Sequence, residues 1–181
     1  GVTKDNVDDF FDGVDIYVDG IDFFALEARK TVYQKAQDKG IPNLLAAPIG
    51  MGVALAIFTK DSMSFDDYYQ FSSSKNDEES YIKLLIGLAP VLMHRDYLVD
   101  PSSANFKEKR GPSTPMAIKL CSGLLCSNVL KLVLNRGDVV VAPKVTQFDA
   151  YKNKLVFPHL RWGNRGPIQR IKFGVAKKAV S

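Results

Sequence analysis

The segment from Val14 to Thr59 constrains the fold most, because its apolar residues follow first a strand period, then a helical period, then a strand period, with stop signals between. Val14 to Ile21 (VDIYVDGI) predicts a strand with Val14, Ile16 and Val18 on one face and Asp15, Tyr17 and Asp19 on the other. Its acids make it less apolar than a central parallel strand usually is. A helix is expected from Phe23 to Lys39, where Phe24, Ala28, Val32 and Ala36 recur every four residues. Gly40 ends it and Pro42 blocks continuation. Asn43 to Ala47 then predicts a short strand, Pro48-Ile49-Gly50-Met51-Gly52 a turn, and Val53 to Thr59 a reversed strand. Strand, helix, strand is a βαβ unit, which requires a sheet that is at least partly parallel.

The following stretch, residues 60–110, is less regular and reads as an insertion or crossover. Ser72 to Glu79 is polar and predicts an exposed loop, Tyr81 to Leu98 a helix interrupted near Pro90, and Asp100 to Arg110 a connection. At Gly111-Pro112-Ser113-Thr114-Pro115 a helix is announced, with Thr114 as N-cap and Pro115 in the first helical position. Its body, to Asn135, is apolar nearly all round, which predicts a buried helix closed by Gly137. Short strands are expected near Val139 to Ala142, Thr146 to Phe148 and Lys154 to Phe157, giving a sheet that begins parallel an antiparallel finish. One domain over residues 1–181 is expected, of α/β class.

Charge is uneven. The 24 Lys and Arg against 20 Asp and Glu leave a net +4, yet Gly1 to Glu27 holds eight acids and one base, and Arg161 to Ser181 six bases and no acid. With Trp162 and Phe173 among those bases, the segment 159–181 reads as a basic tail that could lie on a phosphate backbone; six dispersed bases more often form a solvated edge or meet an acidic protein, so nucleic acid is not the expected partner. The longest apolar run noted, Leu44 to Phe58, is broken by Pro48, Gly50 and Gly52, so no membrane span is expected. Gly1 to Asp5 has no signal-like core, which makes the cytoplasm the expected compartment. Cys121 and Cys126 lie roughly 140° apart on a helix and read as two small buried residues. Neither they nor His94 and His159 have zinc-ligand spacing, so no zinc is expected.

Three features occur in a fixed order: a strand ending in an acid before a helix (Val14 to Asp22), a strand running into a glycine turn and a reversed strand (Ile41 to Phe58), and a Gly-Pro-opened apolar helix (Gly111 to Val133). In this the chain resembles the later half of the ThiF/MoeB/HesA family, bacterial relatives of the ubiquitin-activating enzymes, over Val7 to Phe58 and Gly111 to Phe157. The resemblance implies a Rossmann-like mixed sheet with helices on both faces, of which this chain is the C-terminal part. It implies an ATP- and Mg2+-dependent adenylyltransferase, in which the C-terminal carboxylate of a small protein or peptide attacks the α-phosphate of ATP, releasing pyrophosphate and forming an acyl adenylate. It also implies a homodimer.

Carried over residue by residue, Asp22 matches the family's Mg-ATP aspartate, at the carboxyl end of a parallel strand where open α/β sheets bind ligands. Capping the helix that follows is the other role open to it. Arg29 lies seven residues on, almost two turns, a little further from the aspartate than the family's catalytic arginine; a surface ion pair with Asp22 or near Glu27 is its other reading. Gly50 and Gly52 match the glycine turn of the nucleotide site, and a strand reversal alone also accounts for them. A glycine-rich phosphate loop of the GxGGxG kind is absent, and Phe58 to Leu120 holds no cysteine for a thioester, so the chemistry is expected to stop at the adenylate and this chain alone to bind ATP poorly. The competing expectation is a non-catalytic module that keeps the fold for partner binding or dimerisation.

Overall fold

The computed structural model describes residues 1–97, 108–109, 111 and 113–180, the side chains of 179 and 180 excepted. Five strands form one sheet in the order of the chain: β1 (Tyr17–Asp19), β2 (Asn43–Ile49), β3 (Gly52–Phe58), β4 (Thr146–Asp149) and β5 (Lys154–Val156). β1 pairs parallel with β2, Tyr17 opposite Asn43, and every later pairing is antiparallel. β1, β2 and β4 therefore point the same way, and Asp19, Ile49 and Asp149 share one end of the sheet.

Among the described residues six α-helices accompany the sheet: α1 (Val7–Phe10), α2 (Leu26–Asp38), α3 (Phe65–Tyr69), α4 (Asp77–Leu88), α5 (Pro115–Leu134) and α6 (Pro167–Val180). The strands alternate between two cores. Ala54, Ala56 and Phe58 join Tyr17, Leu45 and the buried residues of α2, α3 and α4 in the larger one, which is rich in tyrosine and phenylalanine. Tyr33 stacks on Phe65 at 3.8 Å between ring centroids, and Tyr69 on Phe71 at 5.4 Å. On the opposite face Leu44, Leu55 and Ile57 pack beneath Leu124, Val129 and Leu132 of α5. Each such fully buried aliphatic side chain stabilises the fold by about 1.5–3 kcal/mol relative to exposure. The mixed α/β sheet with helices on both faces agrees with the sequence expectation.

Several elements differ from expectation. β1 is three residues long and its faces are reversed: Tyr17 and Asp19 are buried, while Val18 is 41% exposed. Polarity alone cannot show that an inward carboxylate finds partners there. Phe23 and Phe24 lie in the loop before α2, which starts at Leu26. The polar run at 72–79 is part loop and part helix, since α4 begins at Asp77 with Asn76 as its cap, and Glu79 is buried. Val139 to Ala142 forms no strand, although the Ala142 N–H donates to Ile57 O of β3. Residues 100–107 and Arg110 lie outside the described residues.

The N-cap at Thr114 is as expected: its Oγ1 accepts the Ala117 N–H at 3.3 Å, with Pro115 following. The expectation that α5 is buried all round is corrected. Only Ala117, Cys121 and Asn128 are fully buried, whereas Met116, Ile118, Leu130, Val133 and Leu134 are 47–63% exposed. One sheet face can cover one stripe of a helix and no more. Cys126 is exposed as well. α5 is long and apolar enough by length and composition to cross a bilayer, which corrects the expectation that rested on Leu44 to Phe58 as the longest apolar run; here one stripe of it lies on β2 and β3. The basic tail is also structured, as a short turn at Gly163–Arg165 and α6, which packs on α4.

Candidate functional site

The loop from Gly20 to Ala25 leaves the carboxyl end of β1 and is held from beneath by one arginine. Arg29, in the first turns of α2, is 2% exposed. Its Nε donates to Asp19 Oδ2 at 2.8 Å, one Nη to Ile21 O at 2.6 Å and the other to Phe23 O at 3.1 Å. Asp19 also accepts from the Tyr33 hydroxyl at 3.1 Å and from the Ile21 N–H at 2.8 Å. Both carboxylate oxygens are thus occupied, the condition under which a buried charge is tolerable. Burial opposes the Arg29 charge, but Asp19 beside it holds the guanidinium more basic than usual. Burial and then the Asp19 charge push the Tyr33 hydroxyl well above the ordinary tyrosine range.

Asp22 stands on the crest of that loop, exposed. Its Oδ1 accepts the Phe24 N–H at 2.9 Å, a turn that shapes the loop rather than a cap on α2, whose first residue is four positions on. The Tyr81 hydroxyl of α4 donates to Phe24 O at 3.2 Å, pinning the loop from the other side. Burial, Asp77 and Asp22 together raise the Tyr81 pKa, so Asp22 is electrostatically close to that hydroxyl.

At the same end of the sheet, the turn between β2 and β3 is tightly enclosed. Gly50 has φ +62°, and a Cβ there would stand 2.5 Å from the Tyr97 ring; a Cβ on Gly52 would stand 2.1 Å from Phe148 O of β4. Thr114 Oγ1 donates to Gly50 O at 3.0 Å. Tyr97 donates to Asp149 Oδ1 at 3.0 Å, and burial followed by that bond pushes its hydroxyl up to about 12. Lys152 Nζ donates to Met93 O at 2.5 Å and Asp96 Oδ2 at 2.7 Å and lies 4.9 Å from the Tyr97 ring centroid. Burial and then Lys152 depress the His94 pKa, and its Nδ1 has no hydrogen-bond partner among the described residues.

The geometry brings Asp22 and Arg29 into one loop assembly, Gly50 and Gly52 into another at the same sheet end, and assigns Arg29 differently from a surface ion pair. Its partner is Asp19, and the pair is buried. The spacing of Arg29 and Tyr33, one turn apart on α2, could have signalled a shared acceptor; nothing in the sequence signalled Tyr97, Asp149 and Lys152, whose meeting depends on the β4 register. Among the described residues no group of three or more His, Cys, Asp or Glu side chains could hold a metal ion by itself. One carboxylate such as Asp22, with a phosphate chain and water completing the shell, is nonetheless a donor set of the kind magnesium takes.

The ThiF family profile matches residues 1–167. No curated protein matches by sequence. Among solved structures, PaaA superposes with a TM-score of 0.53 at 12% identity, over 87% of this chain and 39% of that one. E. coli MccB with ATP gives 0.54 at 10% identity, over 88% and 41%. The microcin C7 biosynthetic enzyme MccB in complex with N-formylated MccA gives 0.55 at 10% identity, over 93% and 45%. At these identities the likeness is one of fold, and the chain spans about two fifths of the length of these structures.

Proposed function

Because the chain belongs to the ThiF family, we propose that it forms part of an ATP-dependent adenylyltransferase in which Asp22 serves the Mg-ATP site. The observation that carries this reading is the placement of Asp22: an exposed carboxylate at the carboxyl end of a parallel strand, on a loop fixed by the buried Arg29–Asp19 pair. The Phe24 N–H engages one oxygen of Asp22, leaving the other for a hard cation or a nucleotide hydroxyl. Magnesium, when bound, would neutralise phosphate charge and orient the leaving group.

In the reaction proposed, a carboxylate oxygen of the substrate bonds to the α-phosphorus of ATP as the bond to the bridging oxygen breaks and pyrophosphate departs. Arg29 is a positioning residue: its donors are spent on Asp19 and on the carbonyls of Ile21 and Phe23, so it sets the loop that carries Asp22. Gly50 and Gly52 shape the neighbouring turn at the same sheet end. The peptide MccA seen on MccB supports a peptide or small-protein carboxyl terminus as the partner. The whole chain, residues 1–181, is read as one domain working in the cytoplasm.

Calorimetric titration of Mg-ATP into the full-length protein tests this. Asp22→Ala is expected to weaken binding by about tenfold or more, the worth of a charge-assisted contact, with an unchanged melting temperature because the side chain is exposed. Equal affinity of both proteins would remove Asp22 from the site.

A second reading, a module for docking or homodimerisation, is favoured by the uncovered apolar stripe of Met116, Ile118, Leu130, Val133 and Leu134 on α5. It predicts concentration-dependent association in sedimentation that Leu130→Lys with Val133→Lys abolishes; a wild-type protein that stays monomeric at high concentration would dispose of it.

A further inference from the structure

Away from Asp22 and the glycine turn, a cavity of about 490 Å³ opens between α4, α6 and the turns at Phe71–Ser73 and Gly163–Arg165. Its size falls in the ordinary range of small-molecule sites, about 300–1,000 Å³. Five cations line it, Lys75, Lys83, Arg165, Arg170 and Lys177, against the single acid Glu79. The surplus of four positive charges equals the net charge of the whole chain. These side chains come from two stretches some ninety residues apart in sequence, so folding brings like charges together, which costs energy unless a counter-ion joins them.

The acids nearby are already engaged. Glu79 accepts from Lys177 Nζ at 2.7 Å and from the Lys75 N–H at 2.9 Å, and Asp67 lies 3.4 Å from Arg165. The side chains of Lys75 and Arg170 have no ion pair among the described residues, and Lys83 has none either. Lys83 is only 7% exposed. Its Nζ donates to Gln70 O at 2.8 Å and Ser73 Oγ at 2.9 Å, two neutral acceptors for a group with three protons to give. Burial lowers its pKa, with Glu79 and Asp66 opposing that shift; an anion at hand would favour the charged form. Ile86 and the ring of Phe173, 5.8 Å from Lys83 Nζ, supply an apolar wall.

We propose that this cavity binds a small phosphorylated molecule, its phosphate groups held by Lys75, Lys83, Arg165 and Arg170 and its organic part lying against Ile86 and Phe173. Compact ammonium groups together with planar guanidinium forks suit multiply charged phosphate oxygens. The charges converge on one concavity instead of running in a stripe, which distinguishes the arrangement from a track for a nucleic-acid backbone. The proposal is independent of the nucleotide site at Asp22.

Calorimetric titration of inorganic pyrophosphate, and separately of inorganic phosphate, into the full-length protein without ATP or magnesium tests it. Pyrophosphate is expected to bind more tightly than phosphate. The double variant Lys75→Ala, Arg170→Ala should weaken pyrophosphate by about tenfold or more, the loss of charge-assisted contacts, while Lys75→Arg should retain most of the affinity and Asp22→Ala all of it. Both positions are exposed, and circular dichroism is the check that the variants fold; should the double variant not fold, Arg170→Glu alone is expected to give the same weakening. Absence of binding by either probe, equal affinity of the folded charge-deleting variant and wild type, or loss of binding in Asp22→Ala would overturn the proposal.

Discussion

Arg29 donates to Asp19, Ile21 O and Phe23 O, all within ten residues of it in sequence, and so behaves as a local clamp. Replacing it with leucine leaves Asp19 buried and charged with a tyrosine hydroxyl and one amide for company. Breaking such a pair costs about 3–5 kcal/mol, so Arg29→Leu is expected to lower the urea midpoint sharply; a midpoint unchanged from wild type would show that Asp19 is solvated or neutral. Asp22, the residue after Ile21, should show the opposite signature, a loss of nucleotide affinity at constant stability. This contrast was only half legible in the sequence. Asp22 at a strand end is a local pattern. That Asp19 turns inward is not, because strand polarity assigns carboxylates to solvent and the partners that reverse this lie one helix away.

The hairpin of β2 and β3 carries its own constraint at Gly52, where β4 approaches so closely that a methyl group would overlap Phe148 O. Gly52→Ala must push β4 outward or twist the hairpin, and overpacking of this kind is expected to destabilise by at least ~2 kcal/mol. A melt indistinguishable from wild type would mean that the strands separate there at little expense. Element types were legible wherever the signal is local. The period of α2, the stop at Gly40 and the cap at Thr114 all depend on contacts within a few residues. α5 was not, because a helix that is apolar all round reads as enclosed, whereas only its stripe over Leu44, Leu55 and Ile57 is covered. A sheet that begins parallel and finishes antiparallel followed from the βαβ pattern, the glycine turn and the short C-terminal strands; which strand β4 joins had no sequence marker.

For the molecule as a whole, pH dependence below neutrality is expected to carry a contribution from His94. It is held beside Lys152 and Gly50, with Tyr97 and Asp96 in the same turn, and burial followed by the Lys152 charge depresses its pKa. The unfolded chain therefore binds that proton more readily than the folded one. Stability from this group is full above the ordinary imidazole value of about 6.5 and declines as pH falls through it towards the lower folded-state value. Urea midpoints measured from pH 7.5 to 5 should fall more steeply for wild type than for His94→Gln; parallel curves would show that the imidazole is as easily protonated in the fold as out of it. Tyr97 and Thr114 have one further effect. Each is fastened to the bend at Gly50, the first by ring contact and the second by its hydroxyl, so two residues seventeen positions apart in sequence meet at nearly the same spot. Closure entropy grows only slowly with loop size, about 0.6 kcal/mol per doubling. The length of chain between two such anchor points can therefore change at little cost to the scaffold they hold.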